Sequence, residues 1–308
     1  MPTFLIIGAT KGGTTSLYNY LRQHPDVYMP DMVKEPRFFV VGDREFVREN
    51  GPEGWRPGGH VTTLAEYQAL FHGATTQRAR GEASPQYLYY PDVPGRIRAY
   101  IPDVEVIVIL RDPVARAYSA FLHQTRDGVE PCTNFAAALQ DESRRIQEGW
   151  SPLYHYRAQG FYYEQLSRYY RLFPPKKIHV YLYDDLRRDP LGLVQNMFGA
   201  LGVDPTFRPA TEVQHNVSGV PKSRRLHHMY MFLKGSNRSS VKSFGKRLLP
   251  RTLRATLREN AVQQLQKNLV KPSLDPDVRE VLREGFRADI LKLQELIGRD
   301  LSRWLGEA

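Results

Sequence analysis

The first chemistry this sequence offers lies near its start, in Gly8-Ala9-Thr10-Lys11-Gly12-Gly13-Thr14-Thr15-Ser16. Set between a strand and a helix, such a loop turns backbone N–H groups and the positive end of the helix toward an anion. Gly12 and Gly13 permit close backbone approach, and Thr14, Thr15 and Ser16 offer hydroxyls to non-bridging oxygens. Against the triphosphate template GxxxxGK[ST], Gly8 and Gly13 match, but Thr14 stands where the lysine belongs. The loop's lysine is three residues earlier, at Lys11. A lysine just after the second glycine reaches β and γ phosphates, whereas one at the loop's apex addresses a group nearer a 5′ phosphate. A nucleoside triphosphate is therefore not the expected ligand. The plain alternative is a glycine-rich turn that only joins strand to helix, and the lysine with its hydroxyl cluster weighs against it.

The elements around this loop define a fold class. Residues 3–7 (TFLII) form a short apolar run, and 14–21 (TTSLYNYL) carry helix formers. Residues 80–83 suit a short strand. The clearest strand is 104–110 (VEVIVIL), β-branched at most positions and with little alternation, as expected when helices cover both faces. Helical spacing follows over 114–124, 135–147 and 154–173, then a strand over 178–183 (IHVYLY). A further helix opens at Asp189-Pro190 and runs to about Leu201, and another covers 276–297. Residues 42–60, rich in Gly, Pro and charge, read as loop. Strands alternating with helices imply an α/β fold: a single P-loop-like domain over residues 1–308, its central parallel sheet flanked by helices on both faces.

A chain of 308 residues with 41% hydrophobic and 25% charged residues can bury a large core. Cys132 is the one cysteine, which excludes an intrachain disulfide and a cysteine-built metal site. The start lacks a basic n-region and a long apolar run, and no stretch approaches the roughly 20 apolar residues of a membrane span. A cytoplasmic, unanchored protein is the expectation. The net charge of +10 is concentrated: from Val217 to Leu257 there is no Asp or Glu but ten Lys or Arg residues. Such a segment attracts anions, although a solvated basic face is the commoner meaning of a charge run.

Together with two later segments, the loop resembles the sulfotransferases that use 3′-phosphoadenosine-5′-phosphosulfate (PAPS), in particular the heparan sulfate branch and its bacterial relatives. The blocks are IIGATKGGTTSLYNYLRQHPDV, KEPRFF from Lys34 to Phe39, and VIVILRDPVARAYSAF from Val106 to Phe121. Weaker similarity runs through GEASPQYLYY, FPPKKIHVYLYDDLRRDP and RDLSRWL. The resemblance implies PAPS as cofactor, adenosine 3′,5′-bisphosphate as product and no requirement for a metal. Residues Lys11, Gly12, Gly13, Thr14, Thr15 and Ser16 would hold the 5′ phosphosulfate, and Arg111 and Ser119 the 3′ phosphate. An arginine fork and a hydroxyl suit a phosphate monoester. Lys11 would stabilise charge on the departing phosphate during in-line transfer. Glu35 would take the proton from the acceptor, a hydroxyl before an amine, its pKa raised by burial against Phe38 and Phe39. Lys34 is a candidate for the sulfate oxygens, and Lys222, Ser223 and Arg224 for a loop closing on the 3′ phosphate.

One departure from the heparan enzymes is Glu82-Ala83-Ser84-Pro85, where they commonly have a lysine at position 83. It weighs against a heparan-like substrate and leaves Glu82 as a further catalytic candidate. Arg116 is expected at the surface and His24 in a structural turn; His123 falls one helical turn after Ser119, while His155, His215, His227 and His228 have no assigned place. The acceptor expected is a glycan, glycolipid or natural product, with an anionic acceptor or surface at 217–257 and no nucleic acid. Two rival readings stand: a P-loop kinase, against which Thr14 and the strand ending in Arg111 both count, and a non-catalytic polyanion-binding module.

Overall fold

The computed structural model describes residues 1–31, 33–42, 51–52, 61–211, 219–221 and 269–307. The basic segment's Lys222, Ser223 and Arg224, and likewise His215, His227 and His228, lie outside the described residues.

Five parallel strands form the central sheet in the order β2-β3-β1-β4-β5. They are β1 (Phe4–Gly8), β2 (Val27–Tyr28), β3 (Ala79–Ala83), β4 (Glu105–Leu110) and β5 (Ile178–Leu182). β1 occupies the centre, pairing Phe4 with Gly81 on one side and with Glu105 on the other. Its side chains divide between two cores as the period of two requires: Leu5 and Ile7 enter one, Phe4 and Ile6 the other. β4 does the same, with Val106, Val108 and Leu110 on the first face and Ile107 and Ile109 on the second. Both faces are covered, so the near-continuous apolar run expected for 104–110 is a strand buried on two sides.

The helices follow from local signals. α1 (Thr14–Leu21) begins after Gly13, whose φ of 112° only glycine adopts readily. α2 (Phe38–Val41), α3 (Leu64–Ala69) and α4 (Val93–Tyr100) precede or follow β3. α5 (Pro113–Asp127) starts on Pro113 with Asp112 as its cap, the carboxylate accepting from Val114 N at 2.8 Å and Ala115 N at 3.0 Å. Residues 135–147 are two helices rather than one: α6 (Phe135–Gln140) and α7 (Glu142–Gln147) meet at Asp141, whose side chain is held by Arg144 and Arg145.

The helix expected over 154–173 is a more instructive miss. Residues 152–160 make two short 3-10 turns, and only α8 (Tyr162–Leu172) is α-helical. The carboxylate of Glu142 accepts from Arg157 N at 2.6 Å and Ala158 N at 2.7 Å, taking the donors a helix would have used. Gly160 then lets the chain pass against Phe286 and Pro113; a Cβ there would lie 2.6 Å from the Phe286 ring. Beyond β5 come α9 (Tyr183–Arg188) and α10 (Pro190–Ala200). Two-residue strands β6 (Val220–Pro221) and β7 (Leu269–Val270) pair antiparallel. α11 (Pro276–Ile297) matches its sequence-based bounds and buries Leu282, Phe286, Ile290 and Leu293; α12 (Ser302–Leu305) ends the chain. Among the described residues no helix is long and apolar enough to cross a membrane.

Candidate functional site

The C-terminal ends of β1, β3 and β4, with the turns that follow, open into one cleft of about 600 Å³. This is where ligands of open parallel sheets collect. Residues 9–13 form its floor. Ala9 N donates to Ile109 O at 2.8 Å and Gly12 N to Ala9 O at 2.8 Å, which fastens the loop to the end of β4. A Cβ on Gly12 would lie 2.6 Å from the Ile109 carbonyl oxygen, so glycine is required there by backbone, not by a movable side chain. Lys11 sits at the apex with φ 67°, a left-handed conformation unusual for a residue with a Cβ. Gly13, the residue before α1, makes no side-chain cap, and its carbonyl accepts from Ser16 N at 3.0 Å and Leu17 N at 3.3 Å, so α1 opens with Thr14, Thr15 and Ser16 lining the cleft.

Electrostatics concentrate on Lys11. Burial, then the nearby Arg126 and Arg111, lower its pKa from 10.5 to about 8, against the opposing pull of Asp127 and Glu35. Arg111 donates to Lys11 O at 3.3 Å and lies 4.7 Å from the centre of the Tyr183 ring, so the loop's carbonyl and an aromatic ring both hold its guanidinium at the cleft. Ser119, on α5 and fully buried, lines the same cleft. The other wall carries Lys34 and Glu35. Lys34 Nζ donates to Thr15 Oγ1 at 2.7 Å and to Glu35 Oε1 at 3.1 Å, tying the loop's hydroxyl cluster to the carboxylate. Arg37 lies 3.9 Å from the second Glu35 oxygen, and its own N–H donates to Ser84 Oγ at 3.1 Å. Phe38 and Phe39 do not enclose Glu35 as expected: they turn into the core, where Phe38 stacks on Tyr67 at 4.6 Å. Cations, not aromatic rings, surround the carboxylate.

The structure thus brings Lys11, Gly13, Thr14, Thr15, Ser16, Glu35, Arg111 and Ser119 to one cleft. Glu82 is elsewhere. It is completely buried on β3, accepts from Tyr67 Oη at 3.3 Å and keeps Oε2 without a hydrogen-bond partner. Burial raises its pKa to about 8, so it is a neutral acid in the core beneath the site. Arg116, expected at the surface, is also fully buried, because α5 is enclosed by the sheet, by 150–162 and by α11; it donates to Tyr156 O. His24 holds its turn as expected, its Nδ1 accepting from Asp26 N at 3.0 Å. His123 lines the cleft, with Nδ1 accepting from Arg126 at 2.6 Å and Nε2 3.8 Å from Asp127. His155 is buried beside Tyr89, its Nδ1 2.9 Å from the phenol oxygen.

Arg187 and Lys271 were missed by sequence reasoning, and both line the cleft. Lys271 arrives there because β7 pairs with β6, and burial followed by Arg111, Arg279 and Arg187 lowers its pKa. No motif marks it; only tertiary pairing carries it in. Residues 2–208 match the sequence profile of the sulfotransferase family. The chain belongs to the sulfotransferase family. Heparan sulfate glucosamine 3-O-sulfotransferase 6 of Homo sapiens is 31% identical over 203 residues, 66% of this chain and 52% of that enzyme. The human 3-O-sulfotransferase 3A1 is 26% identical over 307 residues, 99% of this chain and 63% of the relative. The chain therefore spans about half to two thirds of the length of these relatives. A sulfotransferase from Alicyclobacillus acidocaldarius superposes with a TM-score of 0.73 at 31% identity, covering 99% of this chain and 98% of its own. That agreement extends the shared fold past residue 208, through the C-terminal helix that packs on α8 and α5.

Proposed function

We propose that the protein moves a sulfuryl group from PAPS to an acceptor hydroxyl. The observation that carries this is the Lys34 bridge, which couples the anion-binding loop at Thr15 to the one carboxylate among the described cleft residues, Glu35. Anion loop and proton acceptor are thereby tied together through one lysine.

The residues present suit the donor. Thr10 Oγ1 is buried against the cleft without a partner, and α1 opens on Thr14, Thr15 and Ser16, which all line the cleft. When bound, PAPS supplies the sulfuryl group and a phosphate leaving group. Lys11, Thr14, Thr15 and Ser16 would hold its 5′ end, and Arg111 with Ser119, joined by Arg187 and Lys271, its 3′ phosphate. The Lys11 ammonium adds a fixed positive charge where negative charge grows during transfer, and it does so inside a partly buried site where such charge acts strongly. Glu35 accepts the proton from the attacking hydroxyl, its orientation set by Lys34 and Arg37. Glu82, without access to the cleft, is read as a buried support for β3 and not as a second base. The Lys222 to Arg224 segment remains a candidate for contact with the 3′ phosphate.

The test compares wild type with Lys11→Ala, using labelled PAPS and a mixed hydroxyl-acceptor panel, with adenosine 3′,5′-bisphosphate binding measured by calorimetry. Turnover falls roughly 10²–10³-fold while nucleotide affinity changes less than tenfold. Failure of adenosine 3′,5′-bisphosphate to bind the wild-type protein would sink the proposal.

A further inference from the structure

We infer that the acceptor is an uncharged, hydroxyl-rich molecule, a neutral sugar or polyol, and that Gln86 and Gln124 bind it in the same cleft. This rests on the sulfuryl-transfer reading above and narrows it.

Gln86 lies in the turn after β3 and Gln124 on α5, five residues beyond Ser119; both line the cleft that also holds Glu35. Both are almost wholly buried, at 2% and 3% exposure. Neither amide atom of Gln86 has a hydrogen-bond partner, nor does Nε2 of Gln124. Leaving a buried amide group unpaired costs about 1–3 kcal/mol. Three such atoms on two residues lining one cleft are far from the ordinary pairing of buried polar groups. Gln159, lining the same cleft, shows the usual arrangement, its Nε2 donating to Pro152 O.

The unpaired atoms specify what would satisfy them. Nε2 needs an acceptor, and Oε1 of Gln86 needs a donor. A sulfate or carboxylate offers acceptors only and would leave Oε1 facing negative charge. A hydroxyl donates and accepts at once, and adjacent hydroxyls on a ring serve both ends of an amide. Charge leads to the same class. Lys11, Lys34, Arg37, Arg111, Arg187 and Lys271 line the cleft against the single carboxylate of Glu35, among the described residues. A donor with a phosphate monoester and a phosphosulfate carries about −4. It neutralises nearly all of that excess, so these six side chains leave little cationic attraction for a polyanionic acceptor.

The experiment uses the full chain saturated with adenosine 3′,5′-bisphosphate. Binding of neutral probes (cellotetraose, maltotetraose and myo-inositol) is measured by saturation-transfer NMR and calorimetry at 0.15 M salt, beside heparosan and heparan sulfate tetrasaccharides. A neutral probe is expected to bind more tightly than either anionic one and to be sulfated when PAPS replaces the product. Gln86→Met and Gln124→Met should weaken that binding about tenfold or more, since each removes a hydrogen bond to a buried partner. The same variants should leave nucleotide affinity within about twofold and raise the Tm of the free protein, because they remove unpaired buried atoms. A glutamine needed only for folding would lower Tm and leave acceptor affinity alone. The inference falls, with the transfer reading intact, if nucleotide binds but the anionic probes are preferred, if no neutral probe binds, or if both variants keep full acceptor affinity. If the nucleotide itself fails to bind, the transfer reading falls first.

Discussion

Lys11 and Glu82 show how burial acts in opposite senses on a cation and a carboxyl group. Burial holds the Lys11 pKa near 8, below the ordinary 10.5, so the ammonium is fully charged only under that pH. At subsaturating donor, kcat/KM should fall as pH rises through about 8, whereas kcat at saturation should hold to higher pH because a bound anion favours the charged lysine. A pH–rate profile on both parameters checks it. Glu82 carries the reverse shift, from 4.5 to about 8. Its folded pKa exceeds the unfolded one, so its contribution is fully present below pH 4.5 and is lost as pH rises toward 8. Thermal melts across that window should show wild type losing Tm relative to Glu82→Gln, whose carboxamide cannot ionise; a constant difference between the two would contradict it.

Among the elements, α5 does the most positioning. It places Arg111 just before its start and Ser119 on its second turn, and its start depends on the Asp112 carboxylate accepting from Val114 and Ala115. Asp112→Ala should cost about 0.5–2 kcal/mol in urea denaturation. It should also weaken nucleotide binding, since the two proposed phosphate contacts flank the lost cap. The existence of α5 was plain from Asp-Pro followed by helical spacing, and so was the anion loop, because strand, glycines and helix formers are contiguous in sequence. The site's other half was not legible in the same way. Lys271 reaches the cleft only through a strand pairing with Val220–Pro221, and Gln86 acquires meaning only when its burial without a partner is known. Arg116 misled because charge signals exposure on average, whereas its helix is enclosed on nearly every side.

At the scale of the whole molecule, the two cores were foreseeable from the apolar runs of β1 and β4, but the boundary of α8 was set by a distant carboxylate. Glu142 and Gly160 together decide where that helix begins, and Phe286 of α11 packs where a Cβ on Gly160 would stand. The C-terminal helix is therefore part of the single folded body that holds the cleft. Phe286→Ala should remove about 3–5 kcal/mol of stability, read as a lower denaturation midpoint. A change below 1 kcal/mol would mean that α11 is an appendage.

The backbone at the loop's apex carries a longer-term consequence. Lys11 holds a left-handed φ that costs a residue with a Cβ about 1–2 kcal/mol, and glycine would relieve it. Folding alone argues for glycine at this point, and only chemistry argues for lysine. A duplicated gene released from the need for turnover would shed the lysine early. A paralogue that keeps Gly12, Gly13 and both threonines but has glycine at the apex would therefore mark a lineage that still folds and no longer reacts.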